Sequence, residues 1–104
     1  MSYNQNIISF LKTQLQARFG ERLKKIILFG SRARGDADED SDYDVLILLE
    51  NCTRADSEIL VDIAVEGLLE FEAVLSLFPF TADSLERYPF EPMFMNIRKE
   101  GIEL

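Results

Sequence analysis

Two aspartates lie two positions apart at the start of an apolar segment, a spacing that suits a metal ion. Asp42 and Asp44 flank Tyr43, and the residues from Tyr43 to Leu49 are almost wholly apolar. Because side chains alternate along a strand, both carboxylates would project from one face and repel each other without a cation between them. Magnesium prefers one or two carboxylates together with phosphate oxygens and water. The pair predicts a magnesium site, although an Asp-x-Asp pair by itself more often marks an exposed acidic turn.

Gly30 and Ser31, which end the preceding apolar segment, have the character of a phosphate-binding turn. A glycine at a strand end lets the backbone approach a phosphate closely, and the serine hydroxyl adds a hydrogen-bond donor. The amides that open a following helical turn favour an anion. We expect Arg34 to help hold the phosphate, and Arg32 either to share that role or to balance the acidic loop. Gly-Ser alone usually marks a plain turn, so its meaning depends on its distance from the carboxylates.

The periodicity of the apolar residues predicts the elements that position these groups. We expect three helices, at Asn4 to Phe19, from Thr53 to about Leu69, and at Phe94 to Glu100. We expect three strands, at Lys24 to Phe29, Tyr43 to Leu49 and Phe71 to Phe78. This order predicts an α/β domain in which helices pack on a small mixed sheet. A chain of 104 residues with one cysteine should form a single domain, residues 1–104, without a disulfide framework.

The segment from Ser31 to Ser41 determines how the first two strands pair. It is short and polar and has no apolar stripe. A parallel pairing needs a crossover of about a dozen residues or more, usually with a full helix in it. We therefore predict antiparallel neighbours, with the end of the first strand beside the start of the second. Gly30 and Ser31 would then lie next to Asp42 and Asp44.

Composition excludes several classes of function. The net charge is −8, which argues against direct nucleic-acid binding, because phosphate contacts require a basic surface. The absence of histidine removes the commonest zinc ligand and the commonest general base. No apolar run approaches the roughly 20 residues of a membrane helix. The N-terminus also lacks the pattern of a signal peptide, so we predict a cytoplasmic protein without a membrane partner.

The residues Gly30–Gly35 and Ser41–Asp44 together resemble the signature of the DNA polymerase beta-like nucleotidyltransferase superfamily. More narrowly, they resemble the minimal nucleotidyltransferases of prokaryotes. The resemblance implies a polymerase beta-like fold and transfer of a nucleoside monophosphate, commonly AMP from ATP, with Mg²⁺ and release of pyrophosphate. It assigns the opening glycine and serine of the first segment to the triphosphate, and the two aspartates of the second to the metal.

The same resemblance implies a partner. Many members of the group are antitoxins paired with a small helical HEPN ribonuclease toxin, which they inactivate by adenylylating a tyrosine. An acidic chain fits a protein acceptor better than an RNA acceptor. Two alternatives stay open: an antitoxin that neutralises by binding alone, and nucleotidyl transfer to RNA or to a small molecule. A homo-oligomer and a hetero-oligomer are both compatible with the sequence.

Active members of that family usually have a third carboxylate on the next core strand, which helps hold the metal and can act as a base. Around the predicted third strand the candidates are Glu70 and Glu72. Glu72 would share a face with Val74 and Ser76 near the start of the strand, so we expect Glu72 to be the third catalytic residue and metal ligand. If Ser76 is the equivalent residue, the third ligand is absent and activity is weak or lost.

Overall fold

A computed structural model describes residues 2–104, and its elements follow the predicted order with small additions. The helices are α1 Gln5–Phe19, α2 Ser31–Arg34, α3 Arg54–Phe71, α4 Ser84–Arg87 and α5 Pro92–Glu100. The strands are β1 Leu23–Phe29, β2 Tyr43–Leu49, β3 Leu75–Thr81 and β4 Ile102–Glu103. A 3-10 turn, Gly20–Arg22, joins α1 to β1. The elements that the sequence did not indicate are this turn, α4 and β4.

Helix α1 lies where its apolar spacing predicts it. Asn4 Oδ1 accepts a hydrogen bond from the Asn6 N–H at 2.7 Å, which caps the first turn, and Gly20 with a φ of 56° ends the helix. The apolar stripe of α1 is buried and consists of Ile7, Ile8, Leu11, Leu15 and Phe19. The helix therefore covers one face of the sheet.

The four strands form one mixed sheet in the order β3-β2-β1-β4. Strands β1 and β2 are antiparallel, which confirms the prediction from the short segment between them. Strands β2 and β3 are parallel, and α3 forms the crossover between them. Because β2 lies inside the sheet and is covered on both faces, its sequence is an almost unbroken apolar run.

Alternate side chains of β2 enter two apolar cores on opposite faces of the sheet. One core contains α1 and α3 and receives Tyr43, Val45, Ile47 and Leu49. The other core contains Phe94 and Ile97 of α5 and receives Leu46 and Leu48. By the same alternation Asp44 belongs to the α5 face, at the end of the strand where the core stops.

The third strand begins later than the sequence indicated, so the predicted range Phe71–Phe78 was wrong. Strand β3 spans Leu75–Thr81, because α3 continues through Phe71. The Phe71 ring packs edge-on against Phe10 with centroids 5.4 Å apart, and Glu72 follows as the left-handed C-cap with a φ of 54°. The apolar spacing around Phe71 suits a helix and a strand alike. The contact with α1 is what keeps it helical.

The predicted C-terminal helix is present and begins two residues earlier than expected. Helix α5 begins at Pro92 rather than Phe94, since the Glu91 carboxylate accepts hydrogen bonds from the N–H groups of Met93 and Phe94 at 2.9 and 3.3 Å. It ends at Glu100, as predicted. Across residues 2–104, no helix has both the length and the apolar character needed to cross a membrane.

Candidate active site

The end of β1 and the start of β2 meet as the short connection requires. Phe29 pairs with Asp44 in the antiparallel ladder, so the next residue, Gly30, lies against the aspartate. Gly30 has a φ of 77°, and a Cβ built on it would overlap Asp44 Oδ2. Glycine is needed here both for its backbone conformation and for the close approach of the carboxylate. The predicted meeting of Gly30 with Asp44 is confirmed.

Asp42 and Asp44 form a pair of like charges at this edge of the sheet. Asp42 is exposed and Asp44 is half-buried. Burial raises the pKa of the Asp44 carboxyl, the Asp42 charge raises that pKa further, and the Arg34 guanidinium lowers it. Burial and a like charge both disfavour the ionised carboxylate, and a cation held between the two groups would relieve both effects.

Helix α2 is a single turn that carries the residues after Gly30. The Gly30 carbonyl accepts hydrogen bonds from the N–H groups of Ala33 and Arg34 at 3.1 and 3.0 Å. Gly35 ends the turn in the left-handed conformation, with a φ of 90°. Ser31, the first residue of the turn, is half-buried directly beside the Gly30–Asp44 contact. The turn therefore opens at the carboxylate pair, where the sequence predicted a phosphate-binding segment.

The two arginines of this turn have different roles in the structure. Arg32 donates to the carbonyls of Ser2 and Ser41 at 2.9 and 2.7 Å and lies over the Tyr43 ring, with its Cζ 4.3 Å from the centroid. It closes the acidic loop onto the N-terminus. Arg34 instead lies near enough to Asp44 to affect its pKa. Of the two, only Arg34 is among the causes of the shift in the pKa of Asp44.

The third carboxylate does not lie where the sequence placed it. Glu72 was predicted on the third strand, but it is the exposed C-cap of α3 and lies ahead of β3. In the parallel ladder Ser76 is the partner of Asp44, and its hydroxyl donates to Asp42 Oδ2 at 3.4 Å. Glu70 is exposed on α3. Ser76 therefore occupies the position beside the aspartates for which a carboxylate was expected.

A cavity of about 670 Å³ lies on the other face of the sheet. Glu72, Tyr43 and Arg32 line it together with the loop at residues 37–41, whereas Asp42 and Asp44 do not. The position of Glu72 at this cavity separates it further from the carboxylate pair.

The carboxylate pair suits a metal ion that takes most of its ligands from elsewhere. Among residues 2–104 no cluster of three or more cysteine, aspartate or glutamate side chains could hold a metal. Magnesium is commonly bound by one or two carboxylates and completes its octahedral shell with water and substrate phosphates. Asp42 and Asp44 match that set of ligands.

Sequence reasoning missed one contact residue of this site. Glu100, at the end of α5, accepts a hydrogen bond from the Gly30 N–H at 3.2 Å and from Arg34 Nη1 at 3.1 Å. It lies 70 residues from Gly30 in the chain. No local pattern links the two positions, because only the docking of α5 on the sheet brings them together.

Comparison with protein families agrees with this geometry. A family model described as a nucleotidyltransferase domain matches residues 8–104. The chain is also similar to proteins of Methanocaldococcus jannaschii that are named as candidate protein adenylyltransferases. One is 32% identical over 87 residues, which are 84% of this chain and 83% of the relative. Another is 38% identical over 71 residues, which are 67% of this chain and 72% of the relative.

Solved structures share the fold. A toxin–antitoxin complex with AMP-PNP matches with a TM-score of 0.68 and 20% identity, over 97% of this chain and 72% of that one. A complex of a tri-AMPylated Shewanella oneidensis HEPN toxin with an MNT antitoxin matches with a TM-score of 0.57 and 17% identity, over 95% and 66% of the two chains. At such identities the likeness shows the fold, which is that of nucleotidyltransferases.

Proposed function

We propose, from the premise that this chain belongs to the nucleotidyltransferase domain family, that it transfers AMP from ATP to a hydroxyl group of a partner protein. The observation that carries the proposal is the meeting of Gly30 with Asp44, since it joins a turn suited to phosphate to a pair of carboxylates. In the proposed reaction the acceptor oxygen bonds to the α-phosphorus, and the bond from that phosphorus to pyrophosphate breaks. The hydroxyl proton passes to water.

Each residue has a distinct part in this reaction. Asp42 and Asp44 bind Mg²⁺, while Gly30 and Ser31 contact the triphosphate. Arg34 offers its guanidinium to a phosphate oxygen at the same edge of the sheet. Bound magnesium would neutralise the charge that develops on the departing pyrophosphate. The burial of Asp44 and the like charge of Asp42 both disfavour ionisation of the Asp44 carboxyl. A bound cation would relieve both effects.

The acceptor that we propose is a tyrosine of a small HEPN-type toxin, with this chain as its antitoxin. Two observations support it. Structures with the same fold include toxin–antitoxin complexes, and one of them contains a tri-AMPylated HEPN toxin bound to an MNT antitoxin. The net charge of −8 also suits a protein acceptor better than RNA.

A second candidate function is neutralisation of the toxin by binding alone. It is favoured by Ser76, which stands beside Asp44 where an active enzyme of this kind would have a carboxylate. A serine hydroxyl is a weaker metal ligand than a carboxylate and a poor base at neutral pH.

Labelling of the partner protein separates these functions. The purified chain is incubated with Mg²⁺, ATP labelled in its α-phosphate, and the HEPN-type protein encoded beside it. We expect label on a tyrosine of the partner, and none after Asp42→Asn with Asp44→Asn. The matched control changes the same number of acidic charges in the neighbouring loop, through Glu39→Gln with Asp40→Asn. Both control residues are exposed.

Three results decide between the candidates. Label that persists in the Asp42 and Asp44 double variant would refute the proposed mechanism. If the double variant neutralises the toxin although it leaves the toxin unlabelled, the second candidate function, neutralisation by binding alone, is established. Label on RNA, with none on the protein, would assign the chemistry to a different acceptor.

A further inference from the structure

Glu100 connects the C-terminal helix to the turn that holds the candidate site. Its carboxylate accepts hydrogen bonds from the Gly30 N–H at 3.2 Å and from Arg34 Nη1, at 3.1 Å to Oε1 and 3.3 Å to Oε2. The Glu100 side chain is 18% exposed, against 46% for Arg34. Glu100 is therefore the more buried partner, and a charge-assisted pair of this kind holds the longer arginine in place.

The backbone around Glu100 is fixed on three sides. Phe94 and Ile97 anchor α5 in the core. Gly101 follows immediately, and a Cβ on it would overlap the Ile97 carbonyl and the Ile27 side chain. After Gly101, β4 pairs with β1 through Ile102 and Leu28. Glu100 thus lies at a well-packed helix end, and its side chain reaches the Gly30 N–H.

The contacts of Arg34 show what this support achieves. Glu100 Oε1 accepts from both Arg34 Nη1 and the Gly30 N–H, and Gly30 lies against Asp44 Oδ2, so the guanidinium is held beside the site. Its hydrogen bonds go to other groups, since Nη1 donates to Glu100 and Nε donates to Asp36 at 3.2 Å. Between residues 2 and 104, no hydrogen bond involves Arg34 Nη2 or a carboxylate oxygen of Asp44. One donor on Arg34 and both oxygens of Asp44 are left for ligands.

We propose that Glu100 is a positioning residue for nucleotide binding. It holds Arg34 away from Asp44, so that Asp44 can bind a divalent cation and Arg34 Nη2 can bind a phosphate oxygen. It also holds the backbone of Gly30 at the start of the turn. This inference rests on the proposed function, because it assigns a triphosphate and its metal to the same site.

Without Glu100, Arg34 keeps its contact with Asp36 through Nε, but Nη1 loses its carboxylate partner and can turn to a carboxylate of the site. A guanidinium paired with Asp44 would occupy the oxygens that the metal requires. Glu100→Gln keeps an amide oxygen that can accept from the Gly30 N–H, so it should weaken metal-dependent binding of a nucleotide mainly through Arg34. In a chain without Arg34, the same change should have little effect on affinity.

A double-mutant cycle tests this dependence. The full chain is titrated calorimetrically with Mg²⁺ and α,β-methylene-ATP, an analogue that cannot release pyrophosphate. We expect Glu100→Gln to weaken binding about three- to twentyfold, the range for a partly exposed charge-assisted pair. Arg34→Ala should weaken binding as well, and adding Glu100→Gln to it should change the affinity less than twofold.

The matched control is Glu103→Gln, which removes a carboxylate that pairs with Lys25 at 3.7 Å and is 63% exposed. The Glu103→Gln variant should bind the nucleotide analogue with the same affinity as the unchanged chain.

Each other outcome overturns the inference in an identifiable way. Equal losses from Glu100→Gln with and without Arg34 would mean that Glu100 only supports the fold. Tighter binding after Glu100→Gln would mean that Glu100 competes with phosphate for the site. If the unchanged chain binds no nucleotide, the proposed function fails and this inference fails with it. Thermal unfolding shows whether each variant folds. If Glu100→Gln does not fold, Glu100→Asp takes its place, since it keeps the charge but shortens its reach.

Discussion

Replacing Gly30 by alanine should separate the stability of the fold from the function of the site. Gly30 has a φ of 77° and a ψ of −160°, a conformation that is almost confined to glycine. For a residue with a Cβ, such a backbone costs about 1–3 kcal/mol. The new Cβ would also overlap Asp44 Oδ2, so the carboxylate must move from its position.

Gly20 provides a matched control for this change. It also has a positive φ, 56°, with a ψ of −130°, so alanine should cost a similar 1–3 kcal/mol there. Apart from its chain neighbours, no atom of residues 2–104 lies within 4 Å of the Cβ that Gly20→Ala would add. The two variants therefore carry comparable backbone strain, and only Gly30→Ala displaces a carboxylate of the site.

Urea unfolding and label transfer to the partner measure the two effects separately. We expect both variants to lose about 1–3 kcal/mol in the free energy of unfolding. A displacement of about 1 Å in a catalytic site can cost about a hundredfold in rate, and we expect a loss of this size for Gly30→Ala alone. Gly20→Ala should leave the transfer rate nearly unchanged, because its added Cβ does not meet a residue of the site. If Gly30→Ala transfers label and binds Mg²⁺ as well as Gly20→Ala does, the assignment of this contact to the active site is refuted.

Two further predictions concern single carboxylates. The hydrogen bonds from Arg22 hold the pKa of the Asp56 carboxyl below its usual range. Its stabilisation is therefore present above the unfolded pKa, near 3.9, and is lost as pH falls through the lower folded pKa. Asp56→Asn should cost about 1–2 kcal/mol at pH 7 and flatten the acid limb of stability against pH, and an unchanged acid limb would contradict this reasoning. Ser76→Asp adds a carboxylate beside Asp42 and Asp44, so Mg²⁺ should bind more tightly and the metal-free chain should lose stability. Unaltered Mg²⁺ titrations would show that Ser76 does not face the metal position.

Much of the fold follows from the sequence because its signals are local. The helical spacing in α1 and the unbroken apolar run of β2 specify their elements without tertiary information. The antiparallel pairing follows from the short polar segment between β1 and β2, and with it the meeting of Gly30 and Asp44. The family comparison supports the fold and the class of activity that the motif implied.

The end of α3 shows where local signals fail. The residues around Phe71 fit a helix and a strand equally, and the contact with Phe10 on α1 decides between them. Because α3 continues through Phe71, Glu72 is a helix cap and not a strand residue, and it does not lie beside the aspartates. The contacts of Glu100 depend in the same way on a docked helix, so no spacing in the sequence predicts them.

The position of Ser76 follows from the core once β3 is placed correctly. Leu75 and Leu77 pack in the core of α1 and α3, while Phe78 packs in the core of α5. Because side chains alternate, Ser76 must lie on the α5 face, which is also the face of Asp44. A slip of one residue would bring a leucine beside the aspartates and expose the apolar set of β3. The packing that stabilises the sheet therefore fixes a serine, and not a carboxylate, beside Asp44.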